Sequence, residues 1–326
     1  MKYTPEDLEI FVASYNRAEF LDQALISLLN QTAKGFRIVV IDNASTDNTE
    51  DIVKKYEDQG VEFFKSEINI GFKGNFRRAQ EMASKKWSMI FHDDDIMHPD
   101  YIKTALECIN KLDNPVLISS QMDMLENPTN ENWQKLTKKA YYLKNISEFA
   151  SFLYLGKPFN FPLSIYRTDL FKKVPWEDEI YGKIADKPFP INIAAYGETA
   201  IFTENYIRYR VHSGQDSNAT KNGPFVDQVI ALNKKFHKIM GHNILKLSGR
   251  IFLAYNYKWL INGYSWCKAE NKTIILDDFM KKALEDHSAT ELSIWYGKNR
   301  RNLIMLPFRI GNELQIKNRL KIIDYK

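Results

Sequence analysis

The feature that most constrains the fold is a regular alternation of strand and helix signals over the first 120 residues. Short apolar runs alternate with stretches whose apolar residues recur at helical spacing. The predicted strands are 8–13, 36–41, 61–64, 87–91 and 116–119, and the predicted helices are 20–29, 47–56, 72–85 and 99–112. Strands joined through helices pair in parallel and are covered on both faces. The sequence therefore predicts an α/β fold with a mostly parallel, Rossmann-like sheet flanked by helices.

Polar residues follow three of the predicted strands. They are the segments Ser14 to Asn16, Asp42 to Asn43, and Asp93 to Asp95. Sheets of this kind bind ligands beyond the carboxyl ends of their strands, so we expect these segments to meet in one site.

The triplet Asp93 to Asp95 supports two interpretations on its own. Adjacent carboxylates repel each other, and a divalent cation between them relieves the repulsion; Mg²⁺ and Mn²⁺ both prefer oxygen ligands. Alternatively, the triplet is a solvated acidic turn before a helix that begins near Pro99.

Composition excludes several classes of protein. The chain has 326 residues, of which 44% are hydrophobic, and only two cysteines, which is too few for a disulfide scaffold or a typical zinc site. We expect a cytoplasmic location, because the N-terminus lacks a signal-peptide pattern and no apolar run is long enough to span a bilayer. The net charge is +4, with eight Lys/Arg against two acidic residues in 298–326, so the rest carries 4 − 6 = −2 and nucleic-acid binding is not expected.

Five segments, in order along residues 8–220, resemble the motifs of family 2 glycosyltransferases. The segments are Val12–Arg17, Ile41–Thr49, Asn69–Gly71 with Asn75, His92–Pro99 and Tyr209–Gly214. The resemblance implies a GT-A fold over residues 1–222, with a nucleotide-binding half at 1–120 and an acceptor half at 121–222. A helical C-terminal region, 223–326, is expected to follow.

The resemblance also implies nucleotide contacts for seven residues. In this family the first loop lies against the base, and the carboxylate after the second strand accepts a hydrogen bond from a pyrimidine N–H. The expected nucleotide-binding residues are Ser14, Tyr15, Asn16, Asp42, Asn75, Asp93 and Asp94. The alternative for Asp42 is a strand-end residue that caps a turn, and for nearby Asp47 we expect only a structural capping role.

A metal site is implied by the same resemblance. Asp95 and His212 are the expected ligands of Mn²⁺ or Mg²⁺, with Asp93 directed toward the ribose. The triplet departs from a common form of the motif, because His92 occupies the first Asp position. Either Asp93 and Asp95 are the working pair, or Asp94 is the principal ligand. For His212, a packed or surface histidine with no metal is the alternative.

The general base expected from the family pattern is Asp186. Two departures weaken this match: Ala185 replaces the usual Glu, and two prolines interrupt the start of the following helix. Asp178 and Glu179 are reserve candidates, for which a solvated acidic loop is the simpler interpretation.

Together these features predict an inverting glycosyltransferase that uses a nucleotide-sugar donor, UDP-linked, and a saccharide or lipid-linked glycan acceptor of surface polysaccharide synthesis. The basic C-terminal tail suits either peripheral contact with the inner face of the cell membrane or a packed or oligomeric contact. Two alternatives stay open: a non-catalytic glycan- or nucleotide-binding protein on the same fold, and a nucleotidyltransferase. The second is disfavoured because no glycine-rich loop follows the first strand.

Overall fold

The computed structural model describes residues 2–134, 136, 138–154, 159–212, 224–240 and 321–324. Its centre is a single sheet of ten strands. The strands are β1 (Leu8–Ser14), β2 (Arg37–Asp42), β3 (Val61–Lys65), β4 (Trp87–His92), β5 (Ile96–Met97), β6 (Pro115–Leu125), β7 (Lys139–Leu143), β8 (Ile165–Arg167), β9 (Glu198–Arg210) and β10 (Lys321–Asp324). The helices are α1 (Ala18–Leu29), α2 (Thr49–Lys54), α3 (Gly71–Met82), α4 (Tyr101–Ile109), α5 (Ile146–Tyr154), α6 (Thr168–Lys173), α7 (Asp178–Tyr181), α8 (Pro188–Ile193) and α9 (Pro224–Met240).

The strand order confirms the predicted α/β architecture. It runs β10-β7-β9-β6-β8-β4-β1-β2-β3, with β5 paired to β9. β1 pairs in parallel with β2 and β4, and β2 pairs in parallel with β3. Among the described strands, β5, β7 and β8 run opposite to the others. The carboxyl ends of β1, β2, β4 and β9 therefore lie at the same edge.

The sheet is buried on both faces. Along β1, Ile10 and Val12 point into a cluster with α1 and α4, whereas Phe11 points into a cluster with α3 and the aromatic residues of the second half. This alternation places successive side chains in two separate cores, which is why β1 and β4 are almost continuously apolar.

The segment 121–160 is more regular than the sequence predicts. β6 continues to Leu125, and β7 pairs antiparallel with β9. At the end of the chain, β10 pairs with β7, so residues 321–324 form a strand where the sequence predicts a helical region. The predicted domain boundary at 222 and most of 223–326 lie outside the described residues. In the part of the chain that the structure describes, no helix has the length and apolar character needed to cross a bilayer.

Candidate functional site

The polar segments at the ends of β1, β2 and β4 meet at one edge of the sheet. The backbone N–H of Tyr15 donates to Asp93 Oδ2 (3.3 Å), and that of Asn16 donates to Ser45 Oγ (2.8 Å). The backbone N–H of Asn43 donates to the carbonyl of Ser14 (2.9 Å). These bonds follow from parallel pairing of neighbouring strands, and they confirm that the predicted polar segments converge.

The three carboxylates of the triplet are buried, so the solvated-turn interpretation is wrong. Arg17 Nη1 lies 2.7 Å from Asp94 Oδ2 and 3.3 Å from Asp93 Oδ1. The backbone N–H of Arg210 donates to Asp95 Oδ1 (3.0 Å). Buried carboxylates need such partners, since an isolated ion in a low-dielectric site is very costly.

Burial also raises the pKa of two of the three carboxyl groups, those of Asp93 and Asp95. Loss of solvent, together with the neighbouring Asp94 charge, raises the pKa of Asp93 to about 7. Burial and the same charge raise the pKa of Asp95 well above its usual value. A cation placed between the carboxyl groups would favour their ionised form, because an opposite charge nearby offsets both burial and mutual repulsion.

His92, Asp94 and Asp95 form the group best suited to hold that cation. One ligand atom from each lies within 4.8 Å of the others. Asp94 Oδ1 and Asp95 Oδ2 are buried and accept no hydrogen bond, and carboxylate oxygens are ligands that Mn²⁺ and Mg²⁺ prefer. His212 reaches the same group, with Nε2 3.0 Å from Asp94 Oδ2. The last residues of its motif, 213–214, lie outside the described residues.

His92 is a candidate metal ligand that sequence analysis did not assign. Its position at the end of β4, directly before the triplet, was the available signal. Comparison with the family motif marked it only as a departure.

Asp42 is held by its own turn. Its Oδ1 accepts from the Ser45 hydroxyl, and its Oδ2 accepts from the Ser45 backbone N–H (3.0 Å). The capping alternative for Asp42 is thus realised, and its contact with a base stays a prediction. Asp47 accepts from the backbone N–H groups of Ala18 (2.9 Å) and Thr49 (3.1 Å), in keeping with the structural role expected for it.

Asn75 likewise makes a local contact. It is buried on α3, and its Nδ2 donates to the carbonyl of Ile41 (2.8 Å), which ties the helix to β2. Its predicted nucleotide contact is therefore still a prediction.

Replacing Ser45 by Ala is expected to lower the free energy of unfolding by about 1–3 kcal/mol. The variant would leave buried Asp42 Oδ1 without its donor and the Asn16 N–H without its acceptor. Urea denaturation followed by circular dichroism measures the change. Thr46→Ala, at the exposed neighbouring hydroxyl, is the control and should change stability by less than about 0.5 kcal/mol. Equal stability of both variants would show that the Ser45 bonds do not hold this turn.

The second half of the chain supplies further acidic residues. Asp186 lies between α7 and α8 and forms an ion pair with Lys187 (3.1 Å), with 28% of its side chain exposed. Asp178 forms ion pairs with Lys73 and with Arg77 (3.1 Å), both on α3. The solvated-loop interpretation of Asp178 is therefore wrong.

The fold and the buried acidic group define a glycosyltransferase domain of the GT-A type. The chain belongs to glycosyl transferase family 2, whose family model matches residues 9–174. It is similar to an uncharacterized glycosyltransferase of Rickettsia typhi, 25% identical over 216 residues, or 66% of this chain and 67% of the relative. A second, from a Nostoc species, is 24% identical over 215 residues, or 64% of this chain and 66% of the relative. The chain thus matches about two thirds of the length of these relatives.

Solved structures share the fold at low sequence identity. Staphylococcus aureus TarS 1–349, in complex with UDP-GlcNAc, has a TM-score of 0.58 and 17% identity, covering 89% of this chain and 92% of TarS 1–349. The mannosyltransferase PcManGT of Pyrobaculum calidifontis, in complex with GDP-Man and Mn²⁺, has a TM-score of 0.54 and 13% identity, covering 95% and 87%.

Proposed function

We propose that this protein is an inverting, metal-dependent glycosyltransferase. It transfers a sugar from a nucleotide diphosphate, most simply a UDP-sugar, to a hydroxyl of a saccharide or lipid-linked glycan acceptor in surface polysaccharide synthesis. The observation that carries the proposal is the buried group of His92, Asp94 and Asp95 beyond β4, with two carboxylate oxygens that accept no hydrogen bond. The UDP-GlcNAc bound to TarS, a protein of similar fold, supports the choice of donor.

The ion would be held by Asp94 and Asp95 with imidazole from His92, and by His212 from the far side of the site. A bound divalent ion stabilises the negative charge that develops on a departing diphosphate. This assignment adds His92 and Asp94 to the predicted pair of metal ligands, Asp95 and His212. Asp94, which the sequence analysis assigned to nucleotide binding, is here proposed as a metal ligand.

The surrounding residues orient the donor. Tyr15, which is exposed on the loop after β1, would meet the base together with Ser14 and Asn16. Asp93, fixed by the Tyr15 N–H and by Arg17, would accept from the ribose hydroxyls. The guanidinium of Arg17 is close enough to this edge to favour an anionic ligand there.

We propose Asp186 as the general base on the acceptor side of the site. We assign it the removal of the proton from the acceptor hydroxyl as that oxygen attacks the anomeric carbon.

Membrane contact through the basic tail of 298–326 also stays a proposal, since all of that tail except 321–324 lies outside the described residues.

The first test is thermal stabilisation of the purified protein by a panel of UDP- and GDP-sugars, with and without Mn²⁺. We expect one nucleotide sugar to raise Tm only when the ion is present, because the diphosphate would bind through the ion. The shift should be measurable, since a ligand at 100 times its Kd adds about 2.7 kcal/mol to the free energy of unfolding. Mg²⁺ and Ca²⁺ serve as ion controls. A shift without metal would contradict metal dependence, and no shift with any nucleotide would favour the non-catalytic alternative. Stabilisation by a nucleotide sugar that is then neither transferred nor hydrolysed would also favour the non-catalytic alternative.

A further inference from the structure

An exposed aromatic ring stands beside the acidic group. Phe72, the second residue of α3, is 39% exposed. Its ring centroid lies 6.2 Å from that of His92, nearly perpendicular at 84°, and 5.9 Å from that of Trp176. Phe72 therefore spans the space between the candidate metal ligands and the second half of the chain.

Core packing explains only part of the position of Phe72, whose ring centroid lies 6.5 Å from that of Phe76 but whose side chain remains exposed. Phe76, one turn further along α3, is buried, with its ring 4.0 Å from Trp176. The helix begins at Gly71, whose φ of +70° turns the chain so that Phe72 follows at the exposed first turn. Single exposed apolar residues are common, so the position of Phe72 beside His92 matters more than its exposure.

The surroundings of Phe72 are fixed by ion pairs. Asp178, two residues after Trp176, binds both Lys73 and Arg77 of α3. Glu177 in turn accepts from Asn192 Nδ2 (2.7 Å) and from Lys235 Nζ (2.9 Å). The start of α3 and the Trp176 segment are thus held together, which gives the Phe72 ring a preorganised frame.

We propose that Phe72 is the stacking platform of a sugar subsite. The face of its ring would pack against the apolar C–H face of a pyranose held next to His92, Asp94 and Asp95. Aromatic faces carry partial negative charge and favour such C–H groups, and the contact removes apolar surface from water. This inference rests on the proposed function, since a diphosphate bound at the acidic group would bring its own sugar, or the acceptor sugar that attacks it, to this position.

The test compares Phe72→Ala and Phe72→Tyr with the wild type. Isothermal calorimetry with Mn²⁺ measures Kd for UDP and for UDP-GlcNAc, and saturation-transfer NMR measures binding of methyl glycosides of glucose, galactose and N-acetylglucosamine. Tyr196→Ala is the matched control. Tyr196 is 44% exposed and accepts through its carbonyl from Asn114, which precedes β6 at the opposite edge of the sheet.

If the platform holds the donor sugar, Phe72→Ala weakens UDP-GlcNAc about tenfold and leaves UDP unchanged, while Phe72→Tyr retains binding. If it holds the acceptor sugar, the methyl glycosides lose binding instead. Either result supports the subsite. Equal weakening of UDP and UDP-GlcNAc would overturn it, because the ring would then meet the base. Unchanged binding of every ligand would overturn it too.

Failure of the proposed function gives a different result. In that case the wild type binds neither UDP nor UDP-GlcNAc, and the glycosides are titrated without nucleotide. Glycoside binding that depends on Phe72 would then support the sugar subsite on a protein that is not a transferase. Glycoside binding that is absent or independent of Phe72 would overturn the subsite together with the function.

Discussion

Replacement of Asp95 by Asn is expected to reduce metal-dependent sugar transfer by about a thousandfold or more. Asp95 is fully buried beyond β4, and within the triplet its Oδ2 and Asp94 Oδ1 are the buried carboxylate oxygens that accept no hydrogen bond from the described residues. The amide is nearly the same size but carries no negative charge, so it binds a hard cation poorly. The measurement is the initial rate of transfer across a Mn²⁺ titration, with Mn²⁺ affinity determined separately by calorimetry.

The fold should survive this substitution. The amide oxygen of the Asp95→Asn variant can still accept from the Arg210 N–H, which in the wild type donates to Asp95 Oδ1. Burial raises the pKa of Asp95 well above its usual value, so the folded state already disfavours the ionised carboxylate. A neutral amide therefore should not lower Tm. Asp169→Asn, on α6 with 64% of the side chain exposed, is the control for a lost surface charge. Near-normal turnover of a folded Asp95→Asn protein would remove Asp95 from the metal site.

The part of the fold that could be predicted from sequence is the part specified locally. Buried parallel strands are continuous apolar runs, and the helices between them show apolar residues every three or four positions. Each strand predicted in residues 8–119 is present, and β1 differs from its predicted range only by including Ser14. Convergence of the polar segments followed from topology, because parallel neighbours end at one edge.

The rest depends on contacts that no local pattern specifies. Asp94 meets His212 across 118 positions of sequence, and Asp95 meets Arg210 across 115. The family motif could suggest the contact between Asp94 and His212, but the antiparallel pairing of β5 with β9, which sets Ile96 opposite Arg208, brings the two segments together. Likewise, spacing alone could not decide whether Asp42 faces a ligand or its own turn, since Ser45 lies at the right distance for a cap in either case.

The family pattern also concealed His92. A motif comparison scores a histidine in place of the usual Asp as a loss, although neutral imidazole is itself a common metal ligand. Only the three-dimensional arrangement shows that its ring lies within 4.8 Å of Asp94 and Asp95 ligand atoms. If His92 binds the ion as proposed, this departure from the motif replaces one donor atom by another.

Replacement of Asp186 by Asn should lower kcat by about 10²- to 10⁴-fold while leaving Kd for the donor unchanged. An amide cannot accept the proton from the acceptor hydroxyl, whereas the proposed donor site is formed by residues at the ends of β1, β2 and β4. The fold should be little affected, because Asp186 is partly exposed and its ion pair is with the adjacent Lys187. Single-turnover transfer with preloaded donor separates the chemical step from binding.

Asp178→Asn is the decisive comparison for that experiment. Asp178 is the rival base, yet its carboxylate is already engaged by Lys73 and Arg77, which would hinder its approach to an acceptor. We expect this variant to retain most of its kcat and to lose thermal stability, because it releases α3 from the Trp176 segment. The opposite pattern, with Asp186→Asn active and folded Asp178→Asn inactive, would transfer the role of base to Asp178. If both variants keep their activity, a different group must accept the proton from the acceptor hydroxyl.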